Sequence, residues 1–388
     1  MARLDASTLA TATVAQHLSD HNQLHTKANY VYDVMDYGAT GDGTTDDATA
    51  IQSAATAAAA TGGILYVPAG DYRITTTITI SSYVTVMGAA PGADIVSLGS
   101  RILPDTQDMA AFTVGANTSM VGFSDLTIAG DGIVTGMVGI LLQGAAASGS
   151  TKGLWIRHIR FYRLNKGIYA NTTSGQWQIS HVEVSVCAFN EITASSIHIN
   201  SQNADNWRIF GSQLYSSATG VYLERSGNIT ISETVGSGNA GADDVFLRLT
   251  ATSGPTVMIG CQNESADHFV KTSGGVGSYG SPLTLISCTV DHPITIDENW
   301  KVTIIGCNFN SVVNATATDV IIVAIGNHGA TYNLTGNSTA IQMDGSGANF
   351  DMYSIGFYGA APVAQQTGVA VSAAGIHAAL VNLGLITA

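Results

Sequence analysis

One five-residue pattern keeps returning through the middle of the chain. It reads Gly139-Ile-Leu-Leu-Gln143, Gly167-Ile-Tyr-Ala-Asn171, Ser196-Ile-His-Ile-Asn200, Gly220-Val-Tyr-Leu-Glu224, Asp244-Val-Phe-Leu-Arg248 and Asp267-His-Phe-Val-Lys271, with a fainter copy at Pro293-Ile-Thr-Ile-Asp297. The copies start 28, 29, 24, 24, 23 and 26 residues apart. A second alternating pattern runs between them, in Val84-Thr-Val-Met-Gly88, Leu154-Trp-Ile-Arg-His158, Trp207-Arg-Ile-Phe-Gly211, Ile229-Thr-Ile-Ser-Glu233 and Val302-Thr-Ile-Ile-Gly306. Short alternating strands at such a period are the mark of an all-β solenoid: every second side chain points inward, and stacking buries a core that no single repeat could bury alone.

Composition agrees and removes other classes. Charged residues are 11% of the 388, and 45% are hydrophobic. An ordinary soluble domain carries about 25% charge, and a disordered or coiled-coil chain carries more. A net charge of −14 argues against nucleic acid and anionic membranes as partners. No apolar run reaches the roughly 18 residues of a membrane span, and the N-terminus does not read as a signal peptide. The four cysteines, Cys187, Cys261, Cys288 and Cys307, lack zinc-site spacing, and Cys288 and Cys307 follow their strands at one offset. They are expected as reduced thiols in a core ladder, and neither a metal nor a cofactor is expected.

The two ends differ from the middle. Residues 10–29 contain no Gly or Pro and predict a helix, with Val14, His17, His21, Leu24 and Ala28 on one seam. His17, His21 and His25 can be read as a metal or pH-sensitive site, but a polar helix–helix seam explains them better. After Thr44, a predicted helix cap with Asp47 as its capping-box acid, Ile51, Ala54, Ala55 and Ala58 form a buried stripe, and Gly62-Gly63 ends the helix. The stretch Asp36-Tyr-Gly-Ala, Gly41-Asp-Gly-Thr-Thr-Asp-Asp47, Gly62-Gly63 and Val67-Pro-Ala-Gly-Asp-Tyr72 resembles the N-terminal signature of the pectate-lyase superfamily. That resemblance implies a right-handed, single-stranded parallel β-helix, a fold shared with many bacteriophage tailspikes, in which this block is the first strand and capping helix and is not catalytic. The ending Ile355-Gly-Phe-Tyr-Gly359, Pro362-Val363 and Ala378-Ala-Leu-Val-Asn-Leu-Gly-Leu-Ile386, with the opening His17–His25, resembles the termini of actinobacteriophage minor tail proteins. Ile376, Leu380 and Leu383 mark a short apolar helix there that needs a partner. The expected organisation is a helical attachment segment at 1–30, a first strand and capping helix at 31–82, the β-helix at 83–345 and an oligomerisation segment at 346–388. The expected assembly is a homotrimer in a phage virion, made in the host cytoplasm and joined to other tail proteins through its N-terminal segment.

Alternation places the third and fifth pentapeptide positions outside. The third carries Leu141, Tyr169, His198, Tyr222, Phe246 and Phe269; the fifth carries Gln143, Asn171, Asn200, Glu224, Arg248, Lys271 and Asp297. Aromatic rings beside amides and charges suit sugars, which offer apolar faces and hydroxyl edges, so this face is expected either to bind host surface polysaccharide or to lie in the trimer contact. For catalysis, Asp244 and Asp267 fall at one position of adjacent repeats, about 5 Å apart, the spacing of a retaining glycosidase pair. A calcium site and a solvated acidic turn are alternative readings of them. Glu224 is a weaker catalytic candidate, because three repeats put it about 14 Å from Asp297, too far for a glycosidase pair. A lyase would instead use a basic residue, for which Arg248 or Lys271 could serve.

Overall fold

A computed structural model describes residues 30–92, 99–130, 135–144, 150–172, 178–201, 204–238, 244–250, 253–273, 282–297, 300–316, 320–334, 339–343, 350–352 and 372–382. It is a single-stranded parallel β-helix whose coils each supply three strands. The coil running from Ser150–Arg157 through Arg160–Tyr162 to Lys166–Asn171 is typical. First strands stack into a 14-stranded sheet, parallel except for its last pair, where Thr339–Met343 meets Phe350–Met352 antiparallel. Second and third strands form two further parallel tracks, joined into one 21-stranded sheet by the long strand Gln213–Arg225. Such parallel crossovers are right-handed, as the twist of L-amino-acid strands requires.

The helix Ala48–Thr61 closes the N-terminal end, burying Ile51, Ala54, Ala55 and Ala58 as the sequence predicts. It stops at Gly62, whose φ of 72° favours a residue without Cβ. The cap differs from expectation. Thr44 lies in the strand Asp42–Asp46, and Asp47 is itself the N-cap. Its carboxylate accepts from the amides of Thr40 (2.7 Å) and Gly41 (3.1 Å), fastening the preceding loop, while Asp46 accepts from the Ala48 amide at 3.2 Å.

In eight coils one residue turns the first strand toward the second. Asp125, His158, Val186, Gly211, Glu233, Gly260, Ser287 and Gly306 all take left-handed φ between 49° and 60° at this corner. The residue that follows points inward, so Leu126, Ile159, Cys187, Ser212, Thr234, Cys261, Cys288 and Cys307 stack along the edge of the core. The carbonyl two residues before that inward residue accepts the corner amide of the preceding coil, as Ile259 accepts from Glu233 at 2.8 Å and Ile286 from Gly260 at 2.9 Å. The polar members add a second donor to that carbonyl: Ser212 to Phe210, Thr234 to Ser232, Cys187 to Ser185, Cys261 to Ile259, Cys288 to Ile286 and Cys307 to Ile305. The four thiols are free and buried, and burial pushes that of Cys187 up to about 12. They are ladder residues with a weak donor where neighbouring coils use a hydroxyl.

Register corrects part of the outward stripe. Val221 pairs with Leu247 and Tyr222 with Arg248, and Leu247 then pairs with Val270 and Arg248 with Lys271. The copies beginning at Asp244 and Asp267 are therefore read two residues early. Phe246 and Phe269 are not outward platforms. They occupy the first pentapeptide position, 2% and 0% exposed, stacked at 5.4 Å with 3° between their planes. Arg248 and Lys271 belong to the third-position column, not the fifth. In earlier coils Phe161 and Phe189, from the second track, fill the same corner against Gly139 and Gly167, stacked at 4.6 Å. At the coil of Phe246 the ring changes sides: it stands on the third track and faces Gly236 on the second. Period-two alternation cannot reveal a two-residue slip, since parity is unchanged.

The proposed helix over residues 10–29, with His17, His21 and His25, lies outside the described residues, as does Leu383. A helix at Ala373–Asn382 carries Ile376 and Leu380. Among the described residues no helix is long and apolar enough to cross a membrane, and no cluster of three potential metal ligands occurs.

Candidate functional site

The third track carries one continuous outward column: Leu141, Tyr169, His198, Tyr222, Arg248, Lys271 and Thr295. In-register parallel strands bring like positions together about 4.8 Å apart, so flat side chains stack coil on coil. The Tyr169 and His198 rings lie 4.7 Å apart, and the His198 and Tyr222 rings 4.5 Å. The Lys166 ammonium sits 4.7 Å above the Tyr169 ring. Stacking of this kind covers ring faces with each other. The column therefore shows a ligand its edges and phenol hydroxyls rather than the open aromatic platforms expected from the sequence.

A register shift after Ile199 sharpens the site. It places Arg225 opposite Asn200, where an unbroken ladder would put Glu224. With the extra residue, two consecutive side chains work on the outer surface. Glu224 Oε2 lies 2.9 Å from His198 Nε2, while Arg225 Nε donates to Asn200 Oδ1 at 2.6 Å. Asn171 and Asn200 pair in the adjoining column, beside Gln143. Bulges of this kind re-aim side chains at sheet surfaces.

Electrostatics follow from half-burial. Desolvation pushes the Tyr169 and Tyr222 phenols up, with the Glu224 charge adding to both, and pushes the Lys166 ammonium down. Burial also lowers His198, against the Glu224 carboxylate, which raises it. His198 is 7% exposed, and its Nδ1 is buried without a hydrogen-bond partner. A neutral imidazole with Nε2–H held by Glu224 leaves Nδ1 as a lone-pair acceptor. Nδ1 is closed to solvent, so this group, fixed between two phenols and near Lys166, exchanges a proton through the Glu224 carboxylate, whose side chain is 40% exposed.

The acidic pair looks different. Asp244 and Asp267 do occupy neighbouring positions, the His268 amide donating to the Asp244 carbonyl at 3.0 Å. Asp244 is 4% exposed, whereas Asp267 is exposed. Asp297 accepts from the Thr316 hydroxyl at 2.7 Å. Lys166 and Arg225 escaped the sequence reading: Lys166 precedes its pentapeptide, and only the bulge brings Arg225 outward.

Residues 31–106 match the family model described as rhamnogalacturonase A/epimerase, pectate lyase-like. Mannuronan C5-epimerase AlgE5 of Azotobacter vinelandii is 41% identical over 108 residues, 26% of this chain and 11% of that protein. Alginate lyase 7 of the same organism is 36% identical over 124 residues, 28% of this chain and 14% of that protein. The chain thus spans only a small part of these curated relatives. Among solved structures, a tailspike of an Acinetobacter phage superposes with a TM-score of 0.56 at 14% identity, over 83% of this chain and 64% of that one. ORF18 of Geobacillus virus E2 gives 0.51 at 18%, over 95% and 69%. The DFA-IIIase of Arthrobacter chlorophenolicus gives 0.53 at 15%, over 83% and 95%. The solved structures share the parallel β-helix fold, and the pectate lyase-like family match covers residues 31–106.

Proposed function

We propose that the chain is a phage virion tail protein, of the tailspike or minor tail type, that binds host cell-surface polysaccharide during adsorption. The observation that carries this reading is the outward column. Tyr169, His198 and Tyr222 stand beside Asn171, Asn200, Glu224 and Arg225, and Arg248 and Lys271 continue it, a row of hydroxyl, amide and charged donors and acceptors spaced by the coil repeat. A polysaccharide is itself a repeating array of hydroxyls, so a ladder of polar edges can meet several sugars at once. Two of the three solved structures named above are phage proteins, and the curated relatives are named for mannuronan and alginate, which supports the same reading. The assembly proposed with it is a homotrimer that joins other tail proteins through residues 1–30. The test is binding of the purified full chain to host envelope polysaccharide, with Tyr222→Ala and Arg248→Ala expected to weaken it several-fold. Unchanged binding in both refutes the column as the site, and a monomer in sedimentation refutes the assembly.

A second reading, a depolymerase acting as glycosidase or lyase, has one observation of its own: the buried imidazole oriented by Glu224 between two phenols. Acid–base work at this place fits better than at Asp244 and Asp267, since Asp244 is buried while Asp267 is exposed, so the two do not face one open groove together. Shortened polysaccharide chains after incubation, lost in His198→Ala and Glu224→Gln but retained in Asp244→Asn and Asp267→Asn, would support it. The opposite pattern would restore the acidic pair.

A further inference from the structure

The second track holds a cleft of about 380 Å³, away from the ring column. Its floor is made by small residues. Ala129 and Gly130 end a strand lying between the coil of Arg101 and Leu103 and the coil of Tyr162 and Arg163. Large side chains on either side and none in the middle leave a gap two coil spacings wide, about 10 Å. Position 130 cannot fill it, because a Cβ there would stand 2.3 Å from the Arg163 carbonyl oxygen.

Three guanidinium groups line this gap, Arg73, Arg101 and Arg163, with Asp105 as the one acid among them. The whole chain has 14 Lys+Arg against 28 Asp+Glu, so three arginines on one small cleft stand out against a repelling background. Each is aimed by a carboxylate: Arg73 by Asp105, Arg101 by Asp71 at 3.1 Å and Arg163 by Glu191 at 2.8 Å. Arg101 Nε is buried with no hydrogen-bond partner. A planar fork held by one carboxylate keeps further N–H groups for another anion.

We propose that this cleft binds a carboxylate-bearing sugar, making it a second glycan site that reads acidic residues of a polysaccharide. The volume suits one or two sugar rings. Leu103 supplies an apolar wall for a ring face, and Asp105 beside the guanidiniums disfavours a dianion while tolerating a single carboxylate. The proposal stands on the cleft alone and does not depend on the ring column.

The test is calorimetric titration of the full chain with an oligomannuronate trimer and with neutral mannotriose. The acidic trimer is expected to bind at least tenfold more tightly. Arg163→Gln, a partly exposed side chain whose loss leaves the core untouched, is expected to weaken the acidic trimer about tenfold or more, as is Arg101→Gln. Arg157→Gln, an exposed guanidinium on the first track outside both the cleft and the ring column, is expected to leave it unchanged. Equal binding of both trimers, no binding of either, or indifference to Arg163→Gln overturns the proposal. So does loss of acidic-trimer binding in Tyr222→Ala alone, which would put the acidic sugar on the ring column. Inorganic phosphate binding as tightly as the trimer would overturn the sugar class.

Discussion

The change of sides at Phe246 makes a quantitative prediction about the core. A Cβ built on Gly236 would stand 2.1 Å from Cδ2 and 2.7 Å from Cε2 of Phe246, and it meets no other group as closely. The ring cannot retreat, because Phe269 stacks on it at 5.4 Å and the packing around Gly220, Gly236 and Ala266 is closed. Gly236→Ala alone is therefore an overpacking change and should cost about 1–3 kcal/mol. Phe246→Ala alone removes a ring that is 2% exposed and should cost about 3–5 kcal/mol. The two costs share one cause. Without the ring, the new methyl group has room and fills part of the cavity. The double variant should thus be less destabilised than the sum of the singles by about 1–3 kcal/mol. Equilibrium urea unfolding, with unfolding and refolding curves superimposing, measures all four proteins. Additivity within about 0.5 kcal/mol would refute the reasoning, because it would mean that glycine and ring do not occupy one space.

The corner ladder predicts that Cys288→Ser is tolerated better than Cys288→Val, although valine is the more apolar. Serine keeps the second donor to the Ile286 carbonyl, which also accepts from the Gly260 amide at 2.9 Å, and valine loses it, a difference of about 0.5–1.5 kcal/mol readable in the same urea experiment. Asp47→Ala should lower stability by about 1–3 kcal/mol, since the amides of Thr40 and Gly41 lose their acceptor, and Asp47→Asn should recover part of the loss. Burial lowers His198, so the unfolded chain takes up its proton first as pH falls. The stability it contributes is present above its unfolded pKa of about 6.5 and is lost as pH falls through the lower folded value. The melting temperature should therefore fall less steeply below about pH 6.5 in His198→Phe than in the native chain; equal slopes would refute the assignment.

Much of this architecture is legible in the sequence because stacking repeats one local rule many times. The capping helix, its buried stripe and its glycine stop are local patterns, and the strands carrying Ile140, Ile168, Ile197 and Val221 align as the repeats imply. What escapes is register. The slip at Asp244 hides because a shift of two residues keeps inside and outside unchanged, so Phe246 and Phe269 look like surface rings and Arg248 and Lys271 join the wrong column. The bulge that turns both Glu224 and Arg225 outward is one extra residue, invisible to any pattern tolerant of spacings from 23 to 29. The arginine cleft hides for another reason: Arg73, Arg101 and Arg163 are far apart in the chain, and Gly130 signals a gap only once its neighbours are stacked around it.

The one-residue corner divides the molecule into a fixed edge and a permissive one. No residue can be added between Arg157 and Arg160, or between Ile259 and Gln262, without breaking both the left-handed turn and the hydrogen bond behind it. The connections from third strand to next first strand vary in length, from Arg225 to Ile229 in one coil and from Ser273 to Leu283 in another. New segments grafted there would hang beside the columns of Asn171 and Asn200 while the stacked interior stayed as it is. An engineer could rewrite that fringe coil by coil without redesigning the core.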